Sequence, residues 1–386
     1  MKIAHVSPEF YPAIGGVGQV VRELAKRQVK NGHEVHVFAP DWDKEKRIPI
    51  MDEVIDGIKV HRCRYLVQMA NFSTFWPSLF SKLMNGSFDV IHSHLFAHPH
   101  FVISALVAKI KKIPHIHTTH CPWSDAPRSF IGNLGILVSY NTLSRLALKN
   151  VKKVITITPW EKEFIKKFGG KENQIINIPN GMSEKFLVRI KNNDFKRRHK
   201  INGQMVLFFG RLNFTKGPDK FVEIAKLILK ENPKVTFVML GPDEGMKKKI
   251  IEMIDDEKKI ILLPETRDRK EIIKMYQSAD VYVMPSYREG LPLTLFEAMA
   301  VGLPVVASPV NGIPYEVKNG ENGFLVKYGN NKRFKEKIIE LLEDKKLWNK
   351  ISENNLEKAR NYSWDIIEEK TTRLYENKLN ILKKEN

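Results

Sequence analysis

Glu289 and Glu297 stand eight positions apart in REGLPLTLFEAMAVG (288–302), with a Gly-Leu-Pro break after the first. Three chemistries fit two carboxylates at that spacing: a glycosidase acid/base pair, a grip on a sugar nucleotide, or plain charge on a solvated helix. Pro292 suits the first turn of a helix running to about Val301 and stopped by Gly302. Glu289 then falls in the loop before that helix and Glu297 within it. The amides near Leu293 and Thr294 are free donors at a helix N-terminus, apt for a phosphate. LTLFEAMAVGLP is otherwise apolar, so Glu297 is expected to be semi-buried and to need a partner, which a ribose diol would supply.

Two further stretches carry groups of the right type. In FFGRLNFTKG (208–217), Arg211 and Lys216 follow a strand and precede Gly217. A strand-end loop with two cations can neutralise a diphosphate, Arg with its planar fork and Lys as a point charge. In PAIGGVGQVV (12–21), Gly15, Gly16 and Gly18 let the backbone approach a ligand, and the helix that follows offers its positive end. A dinucleotide fingerprint fails there, because Val21 stands where the third glycine belongs, and Asp41 fits a ribose-binding acid only loosely. Seven histidines fall between His92 and His120: His92, His94, His98, His100, His115, His117 and His120. HSH and HIH put pairs on one strand face, which could bind zinc, but no acidic residue lies between them as a further ligand. The more economical reading keeps His120, at a strand end, as a site residue and treats the others as packing or surface groups, with no metal.

Elements must hold these loops in place. Apolar runs at 2–7, 34–40, 89–95, 114–120 and 153–159 read as strands, with helical patterns at 17–32 and 101–112 between them. The plan repeats with strands at 205–212, 235–241, 259–264, 281–286 and 303–308 and a helix at 219–232. Strand-helix-strand alternation means α/β structure with parallel sheets. The expected organisation is two doubly wound Rossmann-like domains facing across a cleft. They are residues 1–182 on the acceptor side and 204–361 on the donor side, with a polar linker at 183–203 and a closing helix at 362–386. In such sheets ligands sit at the carboxyl ends of the strands.

The chain has 386 residues and a formal charge of +19. That charge favours anionic partners, but KKK at 247–249 and KRRHK at 196–200 lack interleaved aromatics, and no nucleic-acid-binding motif accompanies them. Two cysteines, Cys63 and Cys121, no signal-peptide pattern and no apolar run of spanning length point to a cytoplasmic protein. The aromatic stretch NFSTFWPSLFSKLM (71–84) reads as a core helix or an acceptor groove.

Taken together, GGVG, HTTH, IPNG (178–181), GRLNFTKG and REGLPLTLFE resemble the retaining, nucleotide-sugar-dependent glycosyltransferases of the GT-B fold, family four. The resemblance covers almost the whole chain and implies roles. Arg211 and Lys216 would bind the donor diphosphate, helped by the amides near Leu293 and Thr294. Glu297 would hold the ribose and Glu289 would contact the transferred sugar near the reacting carbon. Gly16 and Gly18 would approach the diphosphate or acceptor, and His120 would touch the sugar. LGPDEG (240–245) lacks a second glycine usual in the family, AIGG lacks the lysine of polyglucan synthases, and HCPWSD (120–125) is an uncommon continuation.

The expected activity is therefore metal-independent, retaining transfer of a hexosyl unit from a nucleotide-diphosphate sugar to a glycan or lipid-linked hydroxyl. UDP-sugar is the first choice of donor and GDP-sugar the second, without a cofactor. Peripheral contact with an anionic inner membrane face is a further expectation. A nucleotide-sugar epimerase and a basic nucleic-acid-binding protein are the alternatives.

Overall fold

The computed structural model of the chain describes residues 1–385 apart from 14, 44–45, 71–72, 122, 124–134, 136–137, 192 and 267. The chain divides into two compact units, Met1–Asn180 with Trp364–Asn386, and Gly181–Ser363.

The first unit holds β1 (Lys2–Val6), α1 (Gly16–Lys30), β2 (Glu34–Pro40), β3 (Asp52–Ile55), β4 (Ile58–Cys63), α2 (Ser78–Asn85), β5 (Val90–His94), α3 (Pro99–Lys111), β6 (His115–Thr118), β7 (Lys153–Thr156), α4 (Glu161–Lys167) and β8 (Ile175–Asn177). Its eight strands run in the order β8-β7-β6-β5-β1-β2-β4-β3. Only the β3–β4 pair is antiparallel; the rest pair in parallel. β5, β6 and β1 are almost wholly buried, which is why they read as near-continuous interior runs rather than alternating ones. α1 buries Val20, Val21, Leu24 and Ala25 on one face, and Gly32 beyond its end takes the left-handed backbone (φ +83°). Trp76 and the α2 residues Leu79 and Leu83 pack with Ala4, Val6 and Ile91 in the core, while Phe75 and Phe80 of the same 71–84 stretch are exposed.

The second unit holds β9 (Met205–Phe209), α5 (Pro218–Leu229), β10 (Thr236–Leu240), α6 (Lys247–Ile254), β11 (Ile260–Leu262), α7 (Arg269–Ser278), β12 (Val281–Met284), α8 (Leu293–Ala300), β13 (Val305–Ala307), β14 (Gly323–Leu325), α9 (Asn331–Glu343) and α10 (Lys345–Arg360). Its strand order is β11-β10-β9-β12-β13-β14, all parallel. Residues 183–203 belong to this unit and carry two short helical turns, with Phe186, Phe195 and Ile201 buried. That stretch is a packed part of the domain and not a bare connector: its polar composition hides two anchoring phenylalanines. The C-terminal helix Trp364–Glu385 groups with the first unit, where Asp365 pairs with Arg27 and Glu368 accepts from Asn31. Among the described residues no helix is long and apolar enough to cross a membrane.

Candidate active site

Both sheets are doubly wound, so each has a point where the order of strand addition reverses between neighbouring parallel strands: β9/β12 in the second unit and β1/β5 in the first. Ligands of open α/β sheets bind outside the strand ends at that point.

In the second unit, the loop after β9 makes one short turn, Phe214–Lys216. The Asn213 side chain accepts from Lys216 N, and Gly217 follows with φ +67°. A Cβ at Gly217 would stand 2.1 Å from the Pro285 carbonyl, so this glycine is what lets the loop lie against the chain leaving β12. Tyr287 N donates to Thr215 O at 2.9 Å and ties the two loops together. The result brings Lys216 Nζ within 2.5 Å of Glu289 Oε2, while Ser286 Oγ donates to Glu289 Oε1 at 2.8 Å. Glu289 is buried, and a small cavity at the strand ends is lined by Gly210, Lys216, Tyr282, Ser286, Glu289 and Thr294. α8 begins at Leu293 with Pro292 as its N-cap, and no side chain caps it. Its first-turn amides, at Leu293 and Thr294, therefore keep the electropositive helix end facing the loop.

Arg211 and Glu297 arrive with partners of their own. Arg211 Nη1 donates to both Glu244 oxygens at 3.2 and 3.1 Å, and Asn213 Nδ2 donates to the same carboxylate at 2.7 Å. Both ends of this ion pair are partly exposed, so it is worth at most about 1 kcal/mol and gives way readily to a stronger anion. The LGPDEG departure has a structural use: Asp243 accepts from the amides of Gly245, Met246 and Lys247 and so caps the start of α6. Glu297 is buried, as expected, but its partners are Arg269 Nη1 at 3.1 Å and Tyr276 OH at 3.4 Å. A ribose is not needed to satisfy it. Burial pushes its carboxyl up, opposed by the Arg269 charge.

In the first unit, α1 does not present a bare N-terminus. The buried Glu9 carboxylate accepts from Gly18 N at 3.1 Å, and a Cβ at Gly15 would fall 2.0 Å from Glu9 Oε1. The glycines thus make room for a carboxylate of the protein itself, whereas Gly16 has open space around it. Asp41 is likewise taken, by Arg47 at 2.7 Å and Tyr65 N at 3.0 Å, which removes it as a ribose acid. Residues past Trp123 in HCPWSD lie outside the described residues, and so does Pro122.

His120 leaves β6 in the left-handed backbone region, φ +57°, and Cys121 follows at +49°. Two consecutive non-glycine residues there cost energy and need an external hold. Glu161 supplies it. Its Oε1 accepts from Thr119 Oγ1 and Cys121 N, and its Oε2 accepts from Ile157 N and Thr158 N, all between 2.5 and 3.1 Å. Sequence reasoning missed Glu161, although Thr158-Pro-Trp-Glu161 is a capping-box pattern that signals it.

The histidines fill both faces of the sheet. His115 and His117 meet Ser93 Oγ on one face at 2.7 and 2.8 Å. His92, His94 and His5 of β1 pack on the other, with His92 and His94 ring centroids 4.1 Å apart. Nitrogens of His5, His92 and His94 lie within 4.8 Å of one another. All six ring nitrogens of that triad are already in hydrogen bonds, to Gln28, Tyr375, Thr118, His120 and each other. That pattern is one of packed, mutually bonded rings, and His92, His94, His115 and His117 are all interior groups. His120 is lowered to about 3 by burial.

Two doubly wound α/β units of this kind define the GT-B class, and HepE of Anabaena in complex with UDP is similar at a TM-score of 0.78 and 19% identity, covering 98% of this chain and 100% of that one. The chain belongs to the group 1, family four glycosyltransferases: residues 189–358 match the model "Glycosyl transferases group 1" and residues 14–186 match "Glycosyltransferase Family 4". It is 30% identical to the N,N'-diacetylbacillosaminyl-diphospho-undecaprenol alpha-1,3-N-acetylgalactosaminyltransferase of Campylobacter jejuni, over 76% of this chain and 78% of that protein. It is 28% identical to the UDP-Gal:alpha-D-GlcNAc-diphosphoundecaprenol alpha-1,3-galactosyltransferase of Escherichia coli, over 92% and 91%.

Proposed function

We propose that this enzyme moves a hexosyl or N-acetylhexosaminyl unit from a UDP-sugar to a hydroxyl of a lipid-linked glycan, with retention and without a metal. The observation that carries the reading is the Lys216–Glu289 pair at adjacent strand ends beside the uncapped start of α8. Breaking the sugar–diphosphate bond puts negative charge on the leaving phosphate oxygens. Lys216, Arg211 released from Glu244, and the amides at Leu293 and Thr294 are preorganised to take that charge. Glu289, freed as Lys216 turns to the phosphate, faces the electron-poor carbon of the sugar. The acceptor hydroxyl attacks from the side the diphosphate leaves, and the departing phosphate takes its proton. Glu297 and Arg269 then meet the ribose end, and Gly16 and His120 serve the sugar and acceptor side. The relatives named for a UDP-galactose donor and for undecaprenol-diphosphate acceptors favour UDP over GDP and a lipid-linked over a free acceptor.

Thermal unfolding with UDP-, GDP- and ADP-sugars, with and without EDTA, tests this. A donor at 100 times its dissociation constant adds about 2.7 kcal/mol. We expect a shift with UDP-sugars alone, unaltered by EDTA and lost in Arg211→Ala. No shift with any nucleotide sugar removes the donor and the proposal with it.

A lipid-linked acceptor places the reaction at a membrane face, and a net charge of +19 suits an anionic one. Co-sedimentation with phosphatidylglycerol vesicles at low salt, but not with phosphatidylcholine vesicles, is the expected result. Equal recovery with both contradicts it.

A further inference from the structure

A single file of side-chain hydrogen bonds runs through the first unit and ends on His120. Asn31 Nδ2 donates to Glu368 Oε2 at 2.7 Å, and Thr372 Oγ1 donates to Glu368 Oε1 at 2.5 Å. Gln28 Nε2 reaches Thr372 Oγ1 at 3.4 Å, and Gln28 Oε1 lies 2.7 Å from His5 Nε2. His5 Nδ1 lies 3.0 Å from His94 Nε2, and His94 Nδ1 lies 3.1 Å from His120 Nε2. Gln28, His5, His94 and Thr372 are buried, so water does not interrupt the file.

Each group in such a file can pass on only one polarity. A carboxylate accepts and does not donate. Thr372 therefore gives its O–H to Glu368 and offers its oxygen to Gln28, which must present its NH2 there and its carbonyl to His5. A neutral imidazole with one nitrogen donating must accept at the other. His5 thus carries its proton on Nε2 and accepts at Nδ1; His94 does the same, and so does His120. Burial holds His5, His94 and His120 neutral, which is the condition the file needs.

We propose that Gln28, oriented by Thr372 and Glu368 of the C-terminal helix, fixes His120 through His5 and His94 as the tautomer with a bare Nδ1, an acceptor for a substrate hydroxyl. Among the described residues nothing bonds to that Nδ1. Gln28, His5, His94, Thr372 and Glu368 are positioning residues. The proposal rests on the reading of His120 as a group that meets the sugar. A reversed Gln28 amide would reverse every bond and leave His120 with a protonated Nδ1, which donates to a substrate oxygen and cannot accept its O–H.

Histidine-15N-labelled protein, read by long-range proton–nitrogen correlation and assigned with His120→Asn, tests the file without any substrate. We expect His120 with a protonated Nε2 and an unprotonated Nδ1. Gln28→Leu removes the acceptor for His5, and the isosteric Thr372→Val removes the acceptor for Gln28. Both should spread His120 over two tautomers, Gln28→Leu more so, with the melting transition still cooperative. In a sugar-transfer assay the same variants should lose about tenfold in kcat/KM. A protonated Nδ1 in the unaltered protein overturns the proposal, and so does an unmoved His120 signal in both variants. If no nucleotide sugar is turned over by the unaltered enzyme, the transferase reading fails separately, and the nitrogen spectra still decide the tautomer.

Discussion

Lowering the pH from 7 to 5 will unfold the first unit at progressively lower urea. Eleven of the twelve histidines lie in that unit. Burial withholds water from the charged ring, so His5 and His100 are lowered to about 4, and His98, His115 and His120 to about 3. His92, His94 and His117 move the same way, from burial first and then from one another's charge. In the unfolded chain these rings take a proton near pH 6.5. Between that value and the folded one, the unfolded state binds more protons, so stability is complete above pH 6.5 and falls as pH falls toward 4. Each such ring is worth about 1.4 kcal/mol per pH unit, so three of them match a typical domain stability of roughly 5–15 kcal/mol within about two units.

Two buried carboxylates, Glu161 and Glu368, are pushed up by burial and oppose the trend at lower pH, but they are outnumbered. Tryptophan fluorescence reads the right unit, because Trp42, Trp76, Trp123, Trp160 and Trp364 lie in it and only Trp348 lies in the other. A urea midpoint that stays level from pH 7 to 5 would mean that the rings are charged in the folded state. His115→Leu should remove about one ring's share of the slope.

The strands were legible because parallel strands buried on both faces leave unbroken apolar runs, and β2 is found at the same residues that the pattern marked. β8 and β14 escaped, whereas the equally short β11 and β13 were marked because longer apolar runs, IILL and LPVVA, surround them. Loops with chemistry were legible where glycine and proline punctuate them, as at Gly217 and Pro292. Partners were not. Lys216 and Glu289 are 73 residues apart, and only the adjacency of β9 and β12 brings them together. Arg269 was not singled out, although it and Tyr276 are the groups that meet the buried Glu297. His5 was passed over because it sits alone in its strand; the order β6-β5-β1 is what lines it up with His94 and His120. Glu9 shows the same limit, for GGVG reads as an anion site and the anion it meets first is ten residues or fewer upstream.

Lys216→Gln will lower kcat for sugar transfer by about two to three orders of magnitude, the scale of removing one preorganised donor from a developing anion. The substitution does two things that must be separated. It takes a cation from the leaving diphosphate, and it strands Glu289, a carboxylate buried to 4% side-chain exposure, without its counter-charge. The second effect alone destabilises by about 3–5 kcal/mol. Adding Glu289→Gln removes the stranded charge, so the double variant should regain most of the lost stability. It should not regain turnover, because neither glutamine carries positive charge to the phosphate and the group facing the sugar carbon is gone as well. Donor binding separates the cases further. Lys216→Gln should weaken UDP itself, since the ground-state diphosphate already needs the cation, while Glu289→Gln alone should leave UDP binding near its original strength and lower kcat. Recovery of turnover together with stability in the double variant would show that Lys216 serves only to neutralise Glu289, and the diphosphate would then have to rest on Arg211 and the start of α8.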